Sequence, residues 1–223
     1  TITGLDFTYN GEPLGAFKTP QDMCQAPNGE IYIADSGNNR IVVLDSAMKK
    51  VVKVITTFTN GDKEDKFNNP YGVCVSEKGW VYVADFKNKR VVVLDENDNL
   101  MQIIANPQSE SLADNFVFNP LKVTVDYADR VYVIAQNMFE GIMVFESNGQ
   151  FTNFFGTINV EISAWDKFWK RIATKEERSN QRLYIPTEFT GIDIDPEGFV
   201  YASNIDATGV QGVRRLNPRG EDV

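Results

Sequence analysis

Gly29-Glu30-Ile31-Tyr32-Ile33-Ala34-Asp35, followed by Asn38-Asn39-Arg40-Ile41-Val42-Val43-Leu44-Asp45, returns 50 residues later as Gly79-Trp80-Val81-Tyr82-Val83-Ala84-Asp85 and Asn88-Lys89-Arg90-Val91-Val92-Val93-Leu94-Asp95. Pro20 opens the first copy and Pro70 the second, with Tyr 12, Asp 15, Arg 20 and a closing Asp 25 residues further on in both. A third copy starts at Pro120, with Arg130-Val131-Tyr132-Val133 and Gly141-Ile142-Met143-Val144-Phe145-Glu146. The fourth is weaker: Gly191-Ile192-Asp193-Ile194-Asp195, then Gly198-Phe199-Val200-Tyr201-Ala202, then Val213-Arg214-Arg215-Leu216-Asn217. Gly191 stands 119 residues after Gly72, where two periods would give 100, so an insertion separates the third and fourth copies.

The apolar stretches inside each copy are short, β-branched and bounded by Gly, Asn and Asp, which is the pattern of strands and turns. Met23-Cys24-Gln25-Ala26 precedes Ile31-Ile33 and Ile41-Leu44 as a first strand, and Val51-Val52-Lys53-Val54-Ile55 follows as a fourth. Four short strands repeated at a fixed offset predict an all-β fold, a β-propeller of four-stranded antiparallel blades; a β-sandwich would not keep such a period. The blades are expected over about 20–58, 70–105, 120–155 and 189–217, and Thr1–Leu5 as a single outer strand. In the insertion, about 160–182, Trp165, Phe168, Trp169 and Ile172 recur at i, i+3, i+4 and i+7. That spacing predicts an amphipathic helix from Ser163 to Arg178, its aromatic stripe packed on the blades.

Tyr32-Ile33-Ala34-Asp35-Ser36-Gly37-Asn38-Asn39-Arg40-Ile41 and the stretch from Tyr82 to Val91 resemble the NHL repeat. The likeness fades in the third copy, where Ala135 stands at the Asp position and Gly141 replaces the Arg. Phe168-Trp169-Lys170-Arg171, Ile185-Pro186-Thr187-Glu188 and Arg215-Leu216-Asn217-Pro218-Arg219-Gly220 are similar to a group of Firmicutes NHL proteins labelled gluconolactonase-like, some with a multi-span membrane region. The resemblance implies an extracytoplasmic, cell-surface or membrane-associated bacterial protein. It also implies a ring of more than four blades, so that the four read here are an arc of a six-bladed propeller and further blades or a membrane region belong to a longer chain.

Composition narrows the chemistry. The 223 residues carry a formal charge of −9, which disfavours a phosphate backbone as partner. No apolar run approaches the ~20 residues of a membrane-spanning helix, so no membrane insertion is expected within this chain. Histidine is absent, which removes Ser–His triads, His-ligated zinc and His general bases. Cys24 and Cys74 cannot build a disulfide framework and read as small buried hydrophobes.

Asp35 with Arg40, and Asp85 with Arg90, recur once per blade, together with Asn38 and Asn88 at the turn. A repeated pair is what each unit needs to stack, so these six read as structural, with Asp capping the turn and Arg tying strands. Function is expected where the copies differ on the rim shared by the second-to-third-strand loops and the blade-to-blade linkers. There the binding candidates are Phe86, Lys87, Met138, Phe139, Asn69 and Asn119, the apolar ones lacking an obvious core to fill.

The leading expectation is a non-enzymatic recognition or scaffold propeller that binds a protein, peptide or glycan, with no cofactor and no nucleic acid. The alternative is a calcium-dependent, lactonase-like hydrolase, for which Asp22, Asn69, Asn119 and Asp193 supply oxygen ligands at different repeat positions.

Overall fold

The computed structural model of the chain describes residues 2–112, 115–156, 188–204 and 212–223. Each copy of the repeat forms one antiparallel sheet whose strands lie in sequence order. The first sheet comprises Asp22–Gln25, Ile31–Asp35, Arg40–Leu44 and Val51–Ile55; the second, Pro70–Val75, Val81–Asp85, Arg90–Leu94 and Leu100–Ala105. The third comprises Pro120–Val125, Val131–Ala135, Ile142–Phe145 and Phe151–Phe155. The fourth has Phe189–Ile194, Val200–Asn204 and Val213–Leu216, with a bridge from Leu216 to Asp222 beginning a further pairing. Two small hairpins, Thr8–Tyr9 with Glu12–Pro13 and Thr57–Asn60 with Lys63–Lys66, lie outside the sheets.

Register places the repeat tyrosines at one station. Tyr32, Tyr82 and Tyr132 pair across to Val43, Val93 and Val144 on one side and to Cys24, Cys74 and Thr124 on the other. Alternate residues of a strand face opposite ways, so one face of each sheet meets the next sheet. Tyr32, Ala34, Ile41 and Val43 pack on Val73, Val81, Val83 and Leu94. Tyr82, Ala84, Val91 and Val93 pack on Val123, Val131, Val133 and Phe145. Tyr132, Ile134 and Val144 pack on Val200, Ala202 and Leu216. Burying each of these side chains stabilises the stack by about 1.5–3 kcal/mol, and three such interfaces make the four-bladed propeller.

The outward faces of the first and fourth sheets differ. Leu14, Phe7, Tyr9 and Phe17 cover Ile31, Val42 and Leu44 of the first sheet. Residues 2–5 do not form the outer strand expected over Thr1–Leu5: Gly4 has a φ of 85°, incompatible with an extended run, and the Phe17 N–H donates to the Thr3 carbonyl at 2.9 Å. On the fourth sheet Tyr201 pairs with Asp193 and Arg215, and it is 36% exposed where Tyr82 is 2%.

Among the described residues the only helical segments are the 3-10 turns Ser36–Asn38 and Phe86–Asn88. The helix expected from Ser163 to Arg178 lies outside the described residues. No helix among the described residues is long and apolar enough to cross a membrane.

Candidate functional site

The loop face is built by the repeated motif. The Asp35 carboxylate, wholly buried, accepts from the Lys18 N–H at 2.7 Å, Asn38 Nδ2 at 2.9 Å and Arg40 Nε at 2.6 Å. Asp85, equally buried, accepts from the Asn68 N–H at 2.7 Å, Asn88 Nδ2 at 2.9 Å and Arg90 Nε at 2.9 Å. Each Asp thus joins the turn after its own strand to the linker that led into its sheet. Burial pushes the Asp85 carboxyl up, opposed by the donors of Asn68, Asn88 and Arg90. Arg90 also grips Asp65 with two bonds of 2.7 and 2.9 Å, which hold that carboxyl well below the usual range.

Two equivalent backbone bonds, from the Gly37 N–H to the Lys18 carbonyl and from Lys87 to Asn68, fasten the loops to the linkers, and in the third copy a bond from Gln136 to Asn119 does the same one station earlier in the loop. Asn69, with a φ of 56°, donates its N–H to Asn39 Oδ1 at 2.7 Å and its Nδ2 to the Ser36 carbonyl at 3.2 Å. It therefore couples the first blade to the second. The Asn119 amide donates to Gln136 Oε1 at 3.4 Å.

Of the apolar rim candidates, Phe86 is half-buried and stacks on Tyr71 with ring centroids 4.6 Å apart. Phe139 is 41% exposed and Lys87 is exposed. Met138 is a correction. It is 6% exposed and belongs to the core between the second and third sheets, so it does fill a core. The turn Ala135–Met138, closed by a Met138 N–H to Ala135 carbonyl bond, folds it inward.

The first strands of all four sheets surround an axial cavity of about 650 Å³. Its lining starts at Asp22 and descends past Cys24, Cys74, Thr124 and Asp193 to the turns at Pro27, Glu77, Tyr127 and Pro196. It therefore opens on the face opposite the loops. At its upper end Lys122, from the third sheet, reaches the first sheet, where Nζ bonds the Gln21 carbonyl at 2.6 Å and pairs with Asp22 at 2.8 Å. Gly72, the residue of the second sheet at the same station, leaves room for this crossing. Burial pushes both thiols up, Cys74 to about 11. They are protonated at neutral pH and poorly suited to nucleophilic attack. Sequence reasoning passed over Lys122, Tyr71 and Thr124; the signal was present in the period, since positions 22, 72 and 122 read Asp, Gly and Lys.

Asp22 carries a pH prediction. Burial raises its carboxyl and Lys122 opposes the rise. A raised carboxyl contributes stability that is present below the usual carboxylate range and lost as pH rises through the folded value. Lys122→Met removes the opposing charge and lifts Asp22 further. The stability deficit of the variant is therefore expected to be small near pH 3 and largest near pH 7. Urea unfolding at both pH values checks this; a deficit independent of pH would refute it.

The four oxygen donors weighed for calcium are not gathered into one set. Asp22 and Asp193 both line the axial cavity, Asp22 being engaged by Lys122 and by the Val73 N–H, whereas Asn69 and Asn119 lie on the loop face with their amide nitrogens bonded there. Among the described residues no three His, Cys, Asp or Glu side chains form a group able to hold a metal ion.

The NHL repeat family model matches residues 17–44 and 67–101. No curated protein matches the chain. Among solved structures, a protein carrying the gluconolactonase label is 14% identical with a TM-score of 0.61, the match covering 93% of this chain and 64% of that one. Hydrazine synthase of Kuenenia stuttgartiensis is 12% identical with a TM-score of 0.56, over 94% of this chain and 49% of that one. A catalytically inactive virginiamycin B lyase from Staphylococcus aureus, solved with quinupristin, is 13% identical with a TM-score of 0.54, over 92% and 54%. The chain thus spans about half the length of the synthase and the lyase. At these identities the likeness shows the fold alone.

Proposed function

We propose that this chain, a β-propeller carrying NHL repeats, is a non-enzymatic recognition or scaffold module that engages a protein, peptide or glycan through its loop face, within a longer extracytoplasmic bacterial protein. The observation that carries this reading is the Tyr71–Phe86 ring pair on the loop face, flanked by the exposed Lys87 and Lys89. Aromatic residues are enriched among the anchors of recognition surfaces. The motif acids and arginines support it indirectly, because they are spent on holding the loops in place.

The test is a peptide display and glycan array against the folded chain, with Phe86→Ala and Lys87→Glu variants alongside. A ligand whose affinity falls about tenfold in either variant, with the fold unchanged, bears the proposal out; tenfold is about 1.4 kcal/mol. The hydrolase reading predicts instead calcium-dependent lactone turnover that survives both substitutions, and that result would replace this proposal.

A further inference from the structure

A groove of about 520 Å³ runs along the loop face between the first and second blades. Its walls include Asn38 and Asn88, which occupy the same repeat station on neighbouring blades. Both side chains are locked. Asn38 Nδ2 donates to the Ala16 carbonyl at 3.0 Å and to Asp35, and Asn88 Nδ2 donates to the Lys66 carbonyl at 3.0 Å and to Asp85. Each amide therefore presents Oδ1 as a fixed, uncommitted acceptor on an exposed residue. Thr56, Thr57 and Asn68 line the same groove, are exposed, and have no side-chain hydrogen bond among the described residues.

Apolar anchoring is muted, and of the two charged residues in the lining one is neutralised while Lys66 is exposed. Asp65, in the lining, is neutralised by its two bonds to Arg90. Phe67, the one aromatic residue of the groove, is 1% exposed and packs its ring 5.3 Å from Phe58 beneath the surface. A peptide gains most of its affinity from side chains buried in pockets, and this groove has no apolar pocket to offer. What it offers is a row of amide and hydroxyl groups, of which the Asn38 and Asn88 amides are already held and need not be ordered on binding.

We infer that this groove is a carbohydrate-binding site, taking a neutral oligosaccharide whose hydroxyl groups donate to Asn38 Oδ1 and Asn88 Oδ1 and exchange hydrogen bonds with Thr56, Thr57 and Asn68. The inference rests on the recognition reading above only in taking the loop face as a binding surface, and adds to it a second place, separate from the Tyr71–Phe86 pair, with a ligand class of its own.

The experiment presents malto-, cello- and chito-hexaose to the full chain by calorimetric titration, with Asn68→Ala/Thr57→Val as the groove variant. Both side chains are exposed, and Asn68 meets Asp85 and Lys87 only through its backbone, which alanine keeps, so folding is expected to be unaffected, and circular dichroism checks this. Saturable binding of at least one hexaose, weakened about tenfold or more in the groove variant and unchanged in Phe86→Ala, is the expected result. Saturable binding that the groove variant leaves intact would overturn the assignment, and so would no binding by any of the three. If peptide ligands bind through Phe86 while no sugar does, the recognition reading stands and this inference alone is lost.

Discussion

Asp35→Ala is expected to destabilise the chain by about 3–5 kcal/mol, the range for leaving a buried charge without its partner, and by clearly more than Asp85→Ala. The two acids are equally buried and occupy one repeat station, so burial alone would make the losses equal. What differs is the arginine left behind. Arg90 keeps its paired bonds to Asp65 when Asp85 is removed. Arg40 has no second acid: its remaining bond goes from Nη1 to the Leu14 carbonyl at 2.9 Å, and its buried Nη2 has no partner. Asp35→Ala also strands the Lys18 N–H, which anchors the linker entering the first blade. Equilibrium urea unfolding of the two variants measures the contrast, and equal losses would remove the account. Arg40→Met added to Asp35→Ala is expected to recover part of the loss, since removing both charges leaves neither unpaired.

The contrast explains what the sequence disclosed and what it withheld. The fold was legible because a 50-residue offset preserves the stations that stack: Tyr32, Tyr82 and Tyr132, and the apolar residues beside them, are buried at matching places. The Asp–Asn–Arg ties were legible for the same reason. Asp65 was not, because the position 50 residues earlier, just after the hairpin ahead of the first blade, is Gly15, and nothing in the motif announces the acid. The rim was harder still. Met138 resembles a loop tip in a linear reading, but the third copy has one residue more between its Tyr and its third strand, and the altered turn sends the side chain into the core. Asn69 and Asn119 read in the sequence as oxygen donors for a shared ion, but their amide nitrogens tie them to the loop face, away from Asp193 in the axial cavity. The weakness of the fourth copy also acquires a physical meaning. Its outward face carries Asp193, Ser203 and Arg215 where the first two blades have Cys, Ala and Val, and no described sheet packs on it.

That difference between faces sets up the second large effect. Gly72 and Gly191 share one station at the start of the second and fourth sheets, and neither has a positive φ, so alanine strains neither backbone. A Cβ on Gly72 would lie 2.8 Å from the Leu121 carbonyl oxygen and 2.9 Å from the Lys122 Cα. Both are main-chain atoms of the third blade and cannot rotate away. Gly72→Ala must therefore push two blades apart, and in doing so it disturbs the Lys122 crossing to Asp22. Overpacking of this kind costs about 1–3 kcal/mol, and the rigid backbone on the far side places Gly72→Ala at the upper end or beyond. A Cβ on Gly191 meets only the Ser203 side chain, Oγ at 2.6 Å, which can change rotamer at the outward face with the loss of its 3.2 Å bond to Thr190 Oγ1. Gly191→Ala is expected within about 0.5 kcal/mol of the parent, helped by the lower entropy of its unfolded chain. Denaturation midpoints of the two variants decide the matter. If Gly191→Ala proved as damaging as Gly72→Ala, some other part of the protein would have to lie against the fourth sheet, and its outward face could no longer be read as the open end of the stack.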